Sequence, residues 1–167
     1  MTDYFRKNKT MTHTESNRFI LKQDNTLASA IIVDIDGTTA LMTNRNPYDE
    51  SDMLLTDAPN LPVIELVTQL SYTNDFIIFV TGRSEKGRIP TEKWLENNFD
   101  EKVIDKSFLI MRKLNDRRPD EIIKKEIYNN QIKDKFYITT VIDDRNKVVK
   151  MWRDLGLLCL QVYDGDF

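Results

Sequence analysis

Nearly the whole chain alternates short, β-branched apolar runs with segments patterned for helices, and no other feature restricts its fold as tightly. Ala30-Ile-Ile-Val-Asp-Ile35 stops at Asp36-Gly37-Thr38 and reads as a buried strand ending in a turn. A polar loop follows over 39–58. Asn60 as a cap, Pro62 early in the segment, and apolar Val63, Leu66, Val67 and Leu70 then predict a helix. The run 75–80 predicts a second strand, closed by Thr81-Gly82-Arg83. Further along come a short helix near 90–98, a strand 107–111, a helix opening at Pro119-Asp120, a strand 139–142, a helix 145–155 and a strand 157–162. Such alternation implies a three-layer, Rossmann-like α/β fold: a mostly parallel central sheet with helices on both faces. Ligands of such sheets sit at the carboxyl ends of the strands.

At 167 residues the chain suits one domain, and one of this size buries on the order of 70% of its unfolded surface, so it needs no disulfides or structural metal. Cys159, the single cysteine, lies in the apolar run 157–162, where a buried, inert thiol and a reducing compartment are expected. No apolar stretch nears the roughly 18 residues of a membrane span. The opening residues mix Asp3 and Glu15 with Arg6, Lys7 and Lys9 and have no hydrophobic centre, which fits neither a secretory signal nor a transit peptide. The expectation is a flexible tail over 1–28, one domain over 29–167, and a soluble, cytoplasmic protein with no membrane partner, a virus-infected cell being included among its possible settings.

The strand-end rule gathers polar residues onto one rim. Asp34 and Asp36 end the first strand, Thr81 and Arg83 the second, Arg112 follows the third, and Asp143 and Asp144 end the fourth. Four carboxylates converging in a partly dry cleft repel one another unless a cation sits among them or their pKa values rise. Oxygen ligands without His or Cys favour a hard ion, and Mg²⁺ fits best. A hydroxyl, Thr81, and a helix lysine, Lys124, supply charge neutralisation beside the carboxylates, which points to phosphoryl transfer. In that reading Asp34 attacks phosphorus and Asp36 exchanges protons with the leaving oxygen and then with water.

Asp34-Ile-Asp-Gly-Thr38 after a hydrophobic strand, then Val80-Thr-Gly82, a helical lysine and an Asp-Asp pair resemble the haloacid dehalogenase (HAD) superfamily of aspartyl-phosphate phosphohydrolases. Asn46-Pro-Tyr-Asp49, Arg112, Val141-Ile-Asp-Asp-Arg145, Val148-Val-Lys-Met-Trp-Arg153 and Asp164-Gly-Asp-Phe167 extend the likeness to the 3′-phosphatase domain of bacteriophage polynucleotide kinase, from about Ser29 to the last residue. The resemblance implies a HAD fold with little or no cap domain and removal of 3′-phosphates from DNA or RNA ends in nucleic-acid end repair. It implies Asp34 as nucleophile, Asp36 as acid and base, and Thr81 and Lys124 on the phosphate. Mg²⁺ would be held by Asp34, the Asp36 carbonyl, Asp143 and Asp144. Arg45, Arg83 and Arg112 fall where the family has functional arginines, and Asp120 falls on an acidic position that orients Lys124 or an arginine. Two departures stand out: only a short segment precedes the first strand, where the bacteriophage enzyme has a kinase domain, and Thr81 replaces a serine. Gly82 and Gly87 have the spacing of a phosphate-cradling loop, but Arg88-Ile89 follow where Lys and Ser or Thr belong, so no kinase activity is expected.

Support from the residues themselves for a polymeric substrate comes from 106–125. Seven basic residues (Lys106, Arg112, Lys113, Arg117, Arg118, Lys124, Lys125) stand there against three acidic ones (Asp116, Asp120, Glu121), a local +4 on a chain of net −3. Plainer roles compete at several positions: Asp144 as a helix cap, Lys124 and Arg118 as solvated surface, His13 as an idle tail residue, Trp152 as core. Tyr48 and Trp94 are better placed than Trp152 to touch a base. Two other functions stay open at this stage, a phosphatase of free nucleotides or other small phosphomonoesters, and a noncatalytic module that binds nucleic-acid ends.

Overall fold

The computed structural model describes residues 23–43, 45–46 and 49–166. In chain order its elements are β1 (Ala28–Val33), β2 (Ala40–Leu41), β3 (Ala58–Pro59), α1 (Leu61–Ser71), β4 (Phe76–Ser84), α2 (Arg88–Asn98), α3 (Glu101–Ile104), β5 (Ser107–Arg112), α4 (Asp120–Ile127), β6 (Phe136–Arg145), α5 (Asn146–Asp154) and β7 (Cys159–Gly165). β1, β4, β5, β6 and β7 form one sheet in the order β5-β4-β1-β6-β7, and every neighbouring pair is parallel. All five strands of this sheet coincide with runs expected from the sequence. α3, the small antiparallel β2–β3 pair and a 3-10 turn at Asp52–Thr56 do not, because two- to five-residue elements are too short for periodicity to reveal. Among the described residues the connection between β1 and α1 carries no further domain.

Strand alternation divides the core in two. Ile31 and Val33 of β1 and Ile77 and Phe79 of β4 face α1–α3, where Val63, Val67, Trp94 and Val103 cover them. Ala30, Ile32, Ile78 and Val80 face α4 and α5, under Ile123, Ile127, Val148 and Trp152. β6 departs from strict alternation. Its pairing with β1 runs Ala30 to Ile138 and then Ile31 to Thr140, so one residue is looped out at Thr139. That bulge sets Ile138 and Val141 on the α4–α5 side and Ile142 on the other.

The same count positions the rim. Ile32 and Val141 face α4 and α5, so Asp34 and Asp143, two residues on, fall on that side at the carboxyl ends of adjacent strands. α4 completes the arrangement. Asp120, Ile123, Lys124 and Ile127 share one face at spacings of three and four, and the sheet buries Ile123, Lys124 and Ile127 together. Asn60 holds the N-cap position of α1 as expected, its carbonyl accepting from the Val63 and Ile64 N–H groups, but its side chain makes no capping bond and instead donates its amide to the Thr38 carbonyl (2.8 Å), tying the helix start to the turn after β1. Ahead of β1, Gln23 exchanges two 2.8 Å hydrogen bonds with the backbone of Ile138.

Candidate active site

Lys124 lies at the centre of the rim, 2% exposed, between two carboxylates. Its Nζ donates to Asp34 Oδ1 at 2.6 Å and to Asp143 Oδ2 at 2.8 Å. The solvated-face alternative is therefore excluded: the side chain is buried, and its ammonium is paired with two carboxylates. Burial works against its ammonium, but Asp143 and Asp34 outweigh that and hold it well above the usual lysine value. Asp143 is oriented from behind as well. The Trp152 indole N–H donates to its Oδ2 at 3.2 Å, and the Arg145 backbone N–H to its Oδ1 at 3.3 Å. Trp152 itself is fully buried core, edge-on to Tyr128.

Asp144 completes a cluster. The Thr38 hydroxyl, with one proton to give, lies within hydrogen-bonding reach of both Asp34 (3.1 Å) and Asp144 (3.2 Å), and carboxylate oxygens of Asp34, Asp143 and Asp144 lie within 4.8 Å of one another. The cap alternative for Asp144 does not hold, since α5 begins without a side-chain cap. Gly37 allows the approach: it sits at φ +84°, and a Cβ there would fall 2.2 Å from Asp144 Oδ2. Burial pushes Asp34 well above the ordinary carboxylate range, with Lys124 opposing and Asp143 and Asp144 adding to the rise. Asp144 is raised by burial and then by Asp143. Three buried carboxylates thus face one ammonium, and Asp144 Oδ2 is buried without a hydrogen-bond partner. An all-oxygen set with surplus negative charge and an orphaned acceptor suits a hard divalent cation.

The fourth carboxylate is elsewhere, which corrects the expectation of four acids facing one another. Asp36 turns to two arginines: Arg45 Nη2 reaches its Oδ1 at 2.8 Å, and Arg83 binds it through Nε and Nη2, both at 2.8 Å. Its place in the cleft penalises the charge, but Arg83 and Arg45 outweigh this and keep it below its ordinary value. Both arginines then close a ring on Asp57, whose side chain is fully buried. Arg45 supplies two bonds to it and Arg83 one, each 2.8 Å. Asp57 was not singled out by the sequence, since its partners lie 12 and 26 residues away and nothing local marks it. Trp94 fixes it by donating to the Asp57 carbonyl at 2.9 Å. Trp94 is 1% exposed and so offers no face to a base, which removes it as a candidate for base contact. Tyr48 and His13 lie outside the described residues.

The remaining site residues form a third group. Thr81 is buried at the end of β4 and accepts from the Arg83 N–H at 3.1 Å. Arg112 has all three guanidinium nitrogens engaged, with the carbonyls of Gly82, Asp116 and Arg118 and with Asp120. Asp120 also accepts from Arg145 Nη1 at 2.6 Å, so it orients two arginines and not Lys124. Arg145 is a further rim residue that the sequence reading left unassigned.

Known proteins resemble the chain in both sequence and structure. The sequence profile of the "Polynucleotide kinase PNKP phosphatase domain" family matches residues 28–167. A protein of Autographa californica nuclear polyhedrosis virus named "Putative bifunctional polynucleotide kinase/RNA ligase" is 40% identical over 129 residues, 77% of this chain and 18% of the relative. Among solved structures, a chain from "Structure of the Pnkp1/Rnl/Hen1 RNA repair complex" is 37% identical with a TM-score of 0.81, covering 91% of this chain and 48% of the other. A chain from "Structure of Pnkp1/Rnl/Hen1 complex" is 33% identical with a TM-score of 0.79, over 100% and 58%. The chain thus spans about a fifth of the viral relative and about half of the structural ones. No described helix is long and apolar enough to cross a membrane. With a parallel sheet of this order, an acidic triad at its carboxyl edge and a family match across 28–167, the chain belongs to the HAD superfamily, in the family of the PNKP phosphatase domain.

Proposed function

We propose that the chain is a Mg²⁺-dependent polynucleotide 3′-phosphatase that clears phosphates from the 3′ ends of DNA or RNA during end repair. The observation that carries this is the placement of Asp34: a buried carboxylate at the end of the central strand, 2.6 Å from Lys124, within 4.8 Å of Asp143 and Asp144, and two residues from a carboxylate held by two arginines. In the first step an Asp34 oxygen attacks phosphorus, the bond from phosphorus to O3′ breaks, and Asp36 gives its proton to O3′. Water then attacks the phosphorus of the aspartyl phosphate, the bond to Asp34 breaks, and Asp36 takes the proton from water. Thr81 and Lys124 bind phosphoryl oxygens, and Lys124 also fixes the attacking carboxylate.

Asp34, Asp143 and Asp144, with the Asp36 carbonyl, would hold Mg²⁺. When bound, the ion neutralises charge on the phosphoryl oxygens and on the carboxylate cluster. Arg45 and Arg83 set the orientation of Asp36, while Arg112 and Asp120 shape the neighbouring wall. The RNA-repair assembly of one structural relative makes RNA the first substrate to try. A short 3′-phosphorylated RNA, the matching DNA and a 3′-mononucleotide, each with Mg²⁺ and with EDTA, test the reading. Release of phosphate from the oligonucleotides, its loss in EDTA and its loss in Asp34→Asn are the expected results; turnover by Asp34→Asn, or preference for the mononucleotide, refutes it.

A further inference from the structure

Four of the seven basic residues in 106–125 are engaged within the protein. Lys106 donates to the carbonyls of Ser71 and Asn74, Arg112 to three carbonyls and Asp120, Arg118 to Asp116 and Glu126, and Lys124 to Asp34 and Asp143. Lys113, Arg117 and Lys125 are exposed, and their side chains make no hydrogen bond or ion pair among the described residues. Two of these three lie in the connection 113–119, which leaves the carboxyl end of β5 on the same rim as Asp34.

That connection is built from within. Arg112 grips the Gly82 carbonyl beside Thr81 at 2.8 Å with one edge, and the carbonyls of Asp116 (3.0 Å) and Arg118 (2.7 Å) with another nitrogen. Asp116 accepts from both the backbone and the guanidinium of Arg118. Asn115 takes the left-handed conformation at φ 63°, which bends the chain so that Lys113, Leu114 and Arg117 stand out, Leu114 being 60% exposed. A merely solvated charge run has no use for a backbone held by side chains at three points. A loop that presents cations to a polyanion does, because ordering it beforehand removes that entropy cost from binding.

We infer that residues 113–117 form a docking loop for the strand that leads to the 3′ phosphate, with Lys113 and Arg117 on its upstream phosphates and Leu114 against a sugar or base between them. This rests on the polynucleotide reading above and adds where the polymer runs, away from Asp34 past Gly82 and Arg112. The test compares the full chain with Lys113→Ala/Arg117→Ala on a short 3′-phosphorylated oligonucleotide and on a 3′-mononucleotide, over a range of salt. Two lost phosphate contacts on a single strand lower kcat/KM for the oligonucleotide by about 10- to 60-fold at roughly 50 mM salt and make its logarithmic salt dependence shallower by about 1.4. The loss falls on KM, and the preference for oligonucleotide over mononucleotide collapses with it. Lys133→Ala/Lys135→Ala, which removes two exposed charges ahead of β6 at the opposite end of the sheet, leaves both substrates unchanged. A docking variant that keeps the wild-type preference and salt slope overturns the inference. A wild-type chain with no preference for the oligonucleotide overturns the polynucleotide reading itself, and that result is visible before any variant is made.

Discussion

Asp57 offers the sharpest test of how the rim is held. Its carboxylate receives two hydrogen bonds from Arg45 and one from Arg83, all 2.8 Å, at 0% side-chain exposure, and the two arginine side chains are 2% and 3% exposed. Asp57→Asn keeps the volume and removes the charge. Breaking a buried ion pair costs about 3–5 kcal/mol because a charge is left unpaired. Here Asp36 still faces both arginines, so the lower end, about 3 kcal/mol, applies, which for a chain of this size lowers Tm by roughly 6–12 °C. Turnover suffers separately. Arg45 and Arg83 lose the anchor that aims them at Asp36, and a displacement of about 1 Å near the reacting atoms costs on the order of 100-fold. Thermal unfolding followed by circular dichroism, together with phosphate release from a 3′-phosphorylated oligonucleotide, reads both effects. A Tm within about 2 °C of wild type would refute the energetic argument, and full turnover in a destabilised variant would refute the positioning role.

Three further outcomes are expected. Gly37→Ala puts a Cβ 2.2 Å from Asp144 Oδ2 at a residue with φ +84°, so turnover drops below detection and stability falls by at least about 1 kcal/mol, checked by phosphate release and urea unfolding. Mg²⁺ raises the Tm of the wild type; Asp144→Asn loses that response yet raises the Tm of the metal-free protein, as differential scanning fluorimetry would read. The sign follows from Asp144 being held above its ordinary value: the fold favours its neutral form, so metal-free stability falls as pH rises from the unfolded carboxyl value upward, and the amide removes that loss. Cys159, buried and with its thiol pushed up to about 12 by burial and then by Asp143, reacts with a disulfide reagent at pH 8 only when the protein is unfolded, and prompt labelling of the native protein would contradict this.

The rim was legible because strand ends can be read from short apolar runs, and the turn residues after them carry the acids. Asp34, Asp143 and Asp144 come together for that reason. Lys124 was legible only through the family resemblance: by itself a helix lysine reads as solvated surface, and that it shares the buried face of Ile123 and Ile127 emerges only from the structure. The Asp57 ring was not readable, since an ion pair between residues 12 or 26 apart leaves no periodic trace. Trp94 illustrates the same limit. Its burial depends on the 52–56 turn and the Asp57 carbonyl meeting it from a distant part of the chain, whereas its own helix is weakly patterned. The division of the basic run into engaged and free residues likewise depends on which carbonyls Arg112 and Arg118 meet in three dimensions.

Two carboxylates only two residues apart acquire opposite surroundings here. β1 ends at Val33, Asp34 reaches Lys124, and Asp36, past the strand end, reaches Arg45 and Arg83 instead. The resting order of the pair is the reverse of what the chemistry needs, with the nucleophile raised and the acid lowered. On the mechanism proposed above, a dication held by Asp34, Asp143 and Asp144 would favour the ionised Asp34 that attacks phosphorus, and the negative charge of an arriving phosphate beside Arg45 and Arg83 would favour the protonated Asp36 that the leaving oxygen requires.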